Sequence, residues 1–174
     1  SYDDNCKKKS LAKRVSKTIR AFLNSSGGVL IIGVHDTSKK IMGICHFPSF
    51  YEAMDAAQHI VPLDPVAVEL VDDTMIQLAR KIDIFKLTVE AVVRGNPKSL
   101  LLVEFAEEDM DENHRRLKNL NKLMKDLGYS WSGNKKVGGV VDVIDNHLQS
   151  KVSEMRKSGL NIMMSMKQDA KPVS

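Results

Sequence analysis

Cysteine is almost missing from this chain: of 174 residues only Cys6 and Cys45 carry a thiol. The two stand far apart, with no CxxC and no His/Cys cluster at metal-ligand spacing. Neither a disulfide framework nor a zinc site is therefore indicated, and a reducing compartment is expected. Long apolar runs are missing as well. The longest fall short by more than half of the roughly 20 residues that a membrane-spanning helix needs, and no signal-peptide pattern occurs near residue 1. The expectation is a soluble, cytoplasmic chain without a transmembrane segment.

What is present suffices for a core, because apolar residues make up 43% of the chain and its length fits one domain, or one domain with an appendage. The net charge of +4 hides an asymmetry. Residues 1–40 hold nine Lys/Arg against three acidic residues, whereas residues 41–174 hold seventeen against nineteen, giving +6 and −2. A basic N-terminal segment joined to a slightly acidic body points to separate roles, and the chain divides on this reading into residues 1–40 and 41–174.

In the N-terminal part, Leu11, Val15, Ile19, Phe22 and Leu23 share one helical face, while Lys13, Arg14, Lys17 and Arg20 lie mostly on the other. That spacing predicts an amphipathic helix over residues 10–23. Asn24-Ser25-Ser26-Gly27-Gly28 then stops it, and residues 29–34 form a strand expected to make a hairpin with residues 40–45. The run AFLNSSGGVLIIGVHD followed by KIMGI resembles the Schlafen/AlbA-type nucleic-acid-binding module over about residues 10–44. In that reading Gly27 and Gly28 offer open backbone N–H groups to phosphate, and Lys13, Arg14, Lys17 and Arg20 add contacts that release counterions. The plainer reading is a tight helix-to-strand turn beside a solvated basic helix. No aromatic residues are interleaved with these cations for base stacking.

The body is organised around residues 99–129. Leu100, Leu101, Leu102, Val103 and Phe105 form a short apolar run, as expected of a strand buried on both faces and central in its sheet. A helix follows, capped by Asp109 or Asp111, with Leu117, Leu120, Leu123, Met124 and Leu127 on its buried face and Gly128 at its end. Its opposite face, with Arg115, Arg116, Lys118, Lys122 and Lys125, reads as solvated surface. Further strands are expected at residues 41–47, 66–70 and 140–144. Helices are expected at 50–60 (with Phe50, Ala53, Met54, Ala57 and Ile60 buried), 72–80 and 85–94, and from 145 onward. Residues 131–139 read as an exposed loop, and isolated His46 and His59 as structural. The order β-α-β-α-α-β-α-β-α describes an α+β, ferredoxin-like sandwich, a largely antiparallel sheet with helices packed mainly on one face.

Three stretches of this body, ICHFPSFYEAMDAAQHIVPLDPVAVELVDDTMIQLAR, SLLLVEFAEED and MRKSGLNIMMSMKQDAKPVS, together resemble the C-terminal, substrate-side domain of FAD-linked oxidases of the D-lactate dehydrogenase and glycolate oxidase type. The resemblance implies part of a flavin-dependent 2-hydroxy-acid oxidoreductase without turnover of its own. FAD would be held mainly by a separate domain as partner, and the small 2-hydroxy acid would be held here. By the same resemblance Arg156 would pair with the substrate carboxylate, Lys171 would lie near that pocket, and Met155, Met163, Met164 and Met166 would line the core beneath the flavin domain. The family's FAD-binding domain has no counterpart before residue 41. The competing function is nucleic-acid binding through the basic N-terminal segment.

Overall fold

The computed structural model describes residues 39–132 and 136–165. Strand β1 (Ile41–Phe47) is buried along its whole length. It pairs antiparallel on one edge with β3 (Ser99–Phe105) and on the other with β6 (Gly139–Val143). Strand β2 (Ala67–Asp72) pairs antiparallel with the far edge of β3, giving the order β2-β3-β1-β6. Parallel β1 and β2 thus flank β3, and parallel β3 and β6 flank β1. Two interleaved βαβ units of this kind make a ferredoxin-like sheet, and the apolar run of β3 is central in it, as its sequence requires.

Alternation along the strands sends side chains to two cores. Ile41, Cys45, Phe47, Leu101, Val103 and Phe105 meet α1 (Phe50–Ile60) and α4 (Met110–Asp126) on one face. Met42, Ile44, Leu100, Leu102, Val141 and Val143 form the other core with Ile76, Val92 and Val152. Those three belong to α2 (Asp73–Lys81), α3 (Lys86–Val92) and α5 (Asn146–Ser165). The α+β class and the antiparallel sheet agree with the sequence. The helices, expected mainly on one face, cover both, because α2 and α3 are inserted between β2 and β3 and cross beneath the sheet with α5.

Local chemistry fixes the element ends. Ser49 Oγ accepts from the Glu52 N–H at 3.2 Å and caps α1, and Asp72 Oδ1 accepts from the Met75 N–H at 2.9 Å and caps α2. Asp109 accepts from the Asp111 N–H to cap α4, which ends before Gly128 at φ 95°, a left-handed position suited to glycine. Gly43 serves a different need: a Cβ there would lie 2.6 Å from Leu120 Cδ2 and 3.0 Å from Leu117 Cδ1, so its absence lets α4 come down onto β1. Two buried amides tie down the start of β1. Asn113 Nδ2 donates to Lys39 O at 2.9 Å and Gln149 Nε2 donates to Lys40 O at 2.8 Å.

Several sequence expectations are corrected. Phe50 and Met54 are half exposed, whereas Ala53 and Ile60 are buried as expected and Ala56 is buried with them. The alanines let the helix backbone approach the sheet closely, which turns the larger residues outward. Both edges of β1 are taken by β3 and β6, so residues 40–45 are not free to form the expected hairpin, while residues 29–34 lie outside the described residues. The helix expected over 85–94 is a 3₁₀ turn, Asp83–Phe85, followed by the shorter α3. Within the stretch read as a loop, β5 (Lys136–Val137) pairs in parallel with β4 (Tyr129–Ser130), which lies just before that stretch.

Candidate functional site

Helix α4 carries its cations in a stripe. Arg115, Lys118, Lys122 and Lys125 follow at spacings of three, four and three, which places them on one side of the helix over about 15 Å. All four are exposed. Arg115 is held by a bidentate contact to Glu112, with Nε and a terminal nitrogen each 2.7 Å from a carboxylate oxygen. Arg116, one residue off the stripe, turns away from it. It binds Glu112 at 2.9 Å, Glu107 at 3.1 Å and Asp64 O at 2.7 Å, fastening α4 to the turn after α1. These guanidinium contacts hold the Glu112 carboxyl down at about 2, Arg115 contributing most.

Two open grooves run between this side of α4 and the rim of β6, meeting at Asn121, whose amide bridges Leu117 O at 3.0 Å and Asp142 Oδ1 at 2.8 Å. The first, of about 520 Å³, sets His114, Arg115 and Lys118 against Asp111 and Asp142. The second, of about 390 Å³, has Lys122 and Lys125 on one wall and Trp131, Gly139 and Val140 on the other, with no carboxylate among the described residues that line it. Charge therefore distinguishes them: an anion meets repulsion in the first and none from the lining of the second.

Trp131 is the single tryptophan and is 42% exposed. Its indole N–H donates to Val140 O at 3.1 Å, and its ring lies so close to Gly139 that a Cβ there would be 2.6 Å from Cε2. The guanidinium of exposed Arg94 sits 5.2 Å from the ring centroid, a cation–π contact worth about 0.5–1 kcal/mol at such a site. Beneath, the ring of His46 meets the indole edge-on at 4.9 Å. His46 Nδ1 donates to Ile44 O at 2.9 Å while Nε2 accepts from the Arg94 N–H at 3.1 Å, which fixes the neutral tautomer. Burial pushes its pKa down to about 4. His46 is thus a fully engaged structural support for Trp131 and Arg94, in line with its expected role.

On the opposite face of the sheet an apolar cavity of about 50 Å³ lies among α2, α3 and α5. At its wall Arg156 and Glu69 form a buried ion pair at 2.5 Å, with the Glu69 side chain 4% exposed and that of Arg156 16%. Burial raises the Glu69 pKa and the Arg156 charge opposes that rise. Arg156, expected to await a substrate carboxylate, is here bound to a carboxylate of its own chain. Met155 lines the same cavity. Lys171 lies outside the described residues, as do Lys13, Arg14, Lys17, Arg20, Gly27, Gly28 and Met166; the side chains of Met163 and Met164 are not described either. Among the described residues no cluster of His, Cys, Asp or Glu is arranged to hold a metal, and no helix is long and apolar enough to cross a membrane.

The cations of α4, plain surface by sequence pattern, line the grooves, and Trp131, Arg94 and Asn121 join them although no periodic pattern marks these three. The available signal was a lone tryptophan inside a Gly-, Ser- and Lys-rich stretch. A family model described as Schlafen, AlbA_2 matches residues 1–122, running across residue 40 and on through β3 and most of α4. No match is found among curated proteins. The family match corrects the flavoprotein reading: the chain segment expected to start an FAD-linked, D-lactate dehydrogenase-like oxidoreductase is matched instead by this other family, and no FAD-linked oxidase is found.

Proposed function

Because the chain belongs to the Schlafen, AlbA_2 family, we propose that it is a nucleic-acid-binding module that acts through phosphate contacts. The family match carries this reading. The basic stripe of α4 supports it independently, since Lys118, Lys122 and Lys125 are exposed along one side of that helix. Lys13, Arg14, Lys17, Arg20, Gly27 and Gly28 lie outside the described residues and enter this reading on their sequence alone, as further phosphate contacts. Contacts of this kind neutralise phosphates, release counterions and read no base sequence.

The test is a titration of the full chain with duplex and single-stranded oligonucleotides of unrelated sequence at several salt concentrations. Affinity should fall steeply with salt, by close to one power of the salt concentration for each phosphate neutralised, and should vary little with sequence. Reversing Lys118, Lys122 and Lys125 to Glu should flatten that slope by about 3. Reversing Lys13, Arg14, Lys17 and Arg20 should flatten it further. Absence of measurable binding at low salt, or binding indifferent to both sets of reversals, removes the proposal.

A further inference from the structure

We propose that the groove between α4 and Trp131 seats a single-stranded segment of nucleic acid, one base stacking on the Trp131 indole while neighbouring phosphates meet Lys122 and Lys125. This rests on the nucleic-acid reading above and names the form of the polymer that the site takes. A duplex keeps its bases stacked inside and presents only phosphates and groove edges, whereas a single strand has bases free to swing onto an aromatic face. The structure couples both requirements in one place: two exposed cations with no ion pair among the described residues on one wall, a half-exposed indole on the other, and no carboxylate among the described residues of the lining. The adjoining groove has cations of its own, but Asp111 and Asp142 oppose a phosphate there and, among the described residues, its one ring is the small imidazole of His114, with no Trp, Tyr or Phe in the lining.

The indole is held ready for this use. Its N–H is engaged by Val140 O, Gly139 leaves room for its ring where any side chain would collide, and His46 fixes its edge, so its orientation does not have to be created on binding. Arg94 is exposed and lies over the ring. A base that stacks on the indole takes the place of the guanidinium, which is then free to turn to a phosphate. That exchange keeps the cation useful in both states.

Since Trp131 is the single tryptophan, its fluorescence reports this groove alone. The full chain is titrated with oligo-dT, with oligo-U and with a duplex of the same length, about fifteen nucleotides, while tryptophan emission and the anisotropy of a labelled strand are followed. Both measurements should saturate together for single strands, and the duplex should bind more weakly without quenching. The tighter of the dT and U arms names the polymer. Trp131→Ala should lower single-strand affinity about ten-fold and leave duplex affinity unchanged, and Trp131→Phe should recover most of the loss. The Phe variant and the wild-type quenching keep the test intact if the Ala variant fails to fold. Strands that bind without quenching, or that bind the Ala variant as tightly as wild type, overturn the single-strand site and leave the phosphate-binding reading standing. If neither single strand nor duplex binds, both readings fall.

Discussion

The two faces of the sheet solve the same packing problem with different materials. On the α1 and α4 face, small residues do the fitting: Ala53 and Ala56 bring one helix down onto the strands, and Gly43 admits Leu117 and Leu120 of the other. On the α2, α3 and α5 face, larger side chains leave an apolar cavity, and an ion pair between Glu69 and Arg156 joins the edge strand to the last helix. The first face is thus free to carry charge on its outside, since nothing charged is needed within. The second spends an arginine and a glutamate on holding itself together, so those two charges are structural and unavailable to a ligand.

The sharpest way to break this contrast is to place a charge on the second face without a partner. Leu102 is 3% exposed, sits on the central strand and lines the cavity. Leu102→Asp should leave the chain unfolded, because a buried unpaired carboxylate costs several kcal/mol against a total stability on the order of 5–15 kcal/mol. Circular dichroism and urea unfolding measure this. A folded variant with unchanged midpoint would show that the cavity side is wet or loosely packed.

Next in size is the ion pair itself. Arg156→Ala abandons a carboxylate that is 4% exposed, and should cost about 3–5 kcal/mol. Replacing both partners together, Glu69→Leu with Arg156→Met, should restore most of the stability, since apolar residues of similar size often match a buried pair. If the double variant were as unstable as the single one, the pair would be worth more than its burial explains. The comparison of the two faces would then have to be redrawn.

A third and smaller effect depends on pH. His46 binds its proton more weakly in the fold, with a pKa near 4, than in the unfolded chain, where it is near 6.5. The unfolded state therefore binds more protons between these values, and the stability due to neutral His46, complete above about pH 6.5, is lost as the pH falls through 4. The loss amounts to about 3 kcal/mol from this residue. His46→Gln should flatten the decline in unfolding free energy between pH 7 and 4. An equal slope in the variant would assign the acid sensitivity elsewhere.

How far the fold could be read from the sequence depends on how local each signal was. The apolar run of β3 and the caps Ser49, Asp72 and Asp109 are short-range patterns, and they placed the strands and helices nearly where they occur. The partner of each strand is not a local property. Residues 40–45 looked like half of a hairpin because a turn precedes them, yet the edges of β1 are filled from residues about 60 and 100 positions later. Alanine also misled: in α1 the pattern of large apolar residues suggested the buried side, while the helix lies down on its smallest residues. The site was legible as charge and illegible as shape. The stripe of α4 is plain at three- and four-residue spacing, but its facing wall, Trp131, comes from a segment whose composition suggested only a loop. Arg156 taught the reverse lesson, since a motif gave it a ligand and the fold gives it Glu69.

The smallest expected effect on stability lies on the first face, and it tests whether its charges are available. Glu112 holds Arg115 through two 2.7 Å contacts on the exposed side of α4, with the Arg115 side chain 64% exposed. Exposed pairs of this kind add little to stability because water screens them and both side chains lose freedom. Glu112→Gln should therefore barely move the unfolding midpoint, in contrast to the loss from Arg156→Ala. Its effect should appear in binding instead. Without the carboxylate, Arg115 joins Lys118, Lys122 and Lys125 as a cation free to meet phosphate, so oligonucleotide affinity at low salt should rise a few-fold and the salt slope should steepen by nearly one. A variant that is clearly destabilised would make Glu112 a structural anchor through Arg116, like Glu69 on the other face. A variant with unchanged affinity and slope would place Arg115 outside the phosphate path.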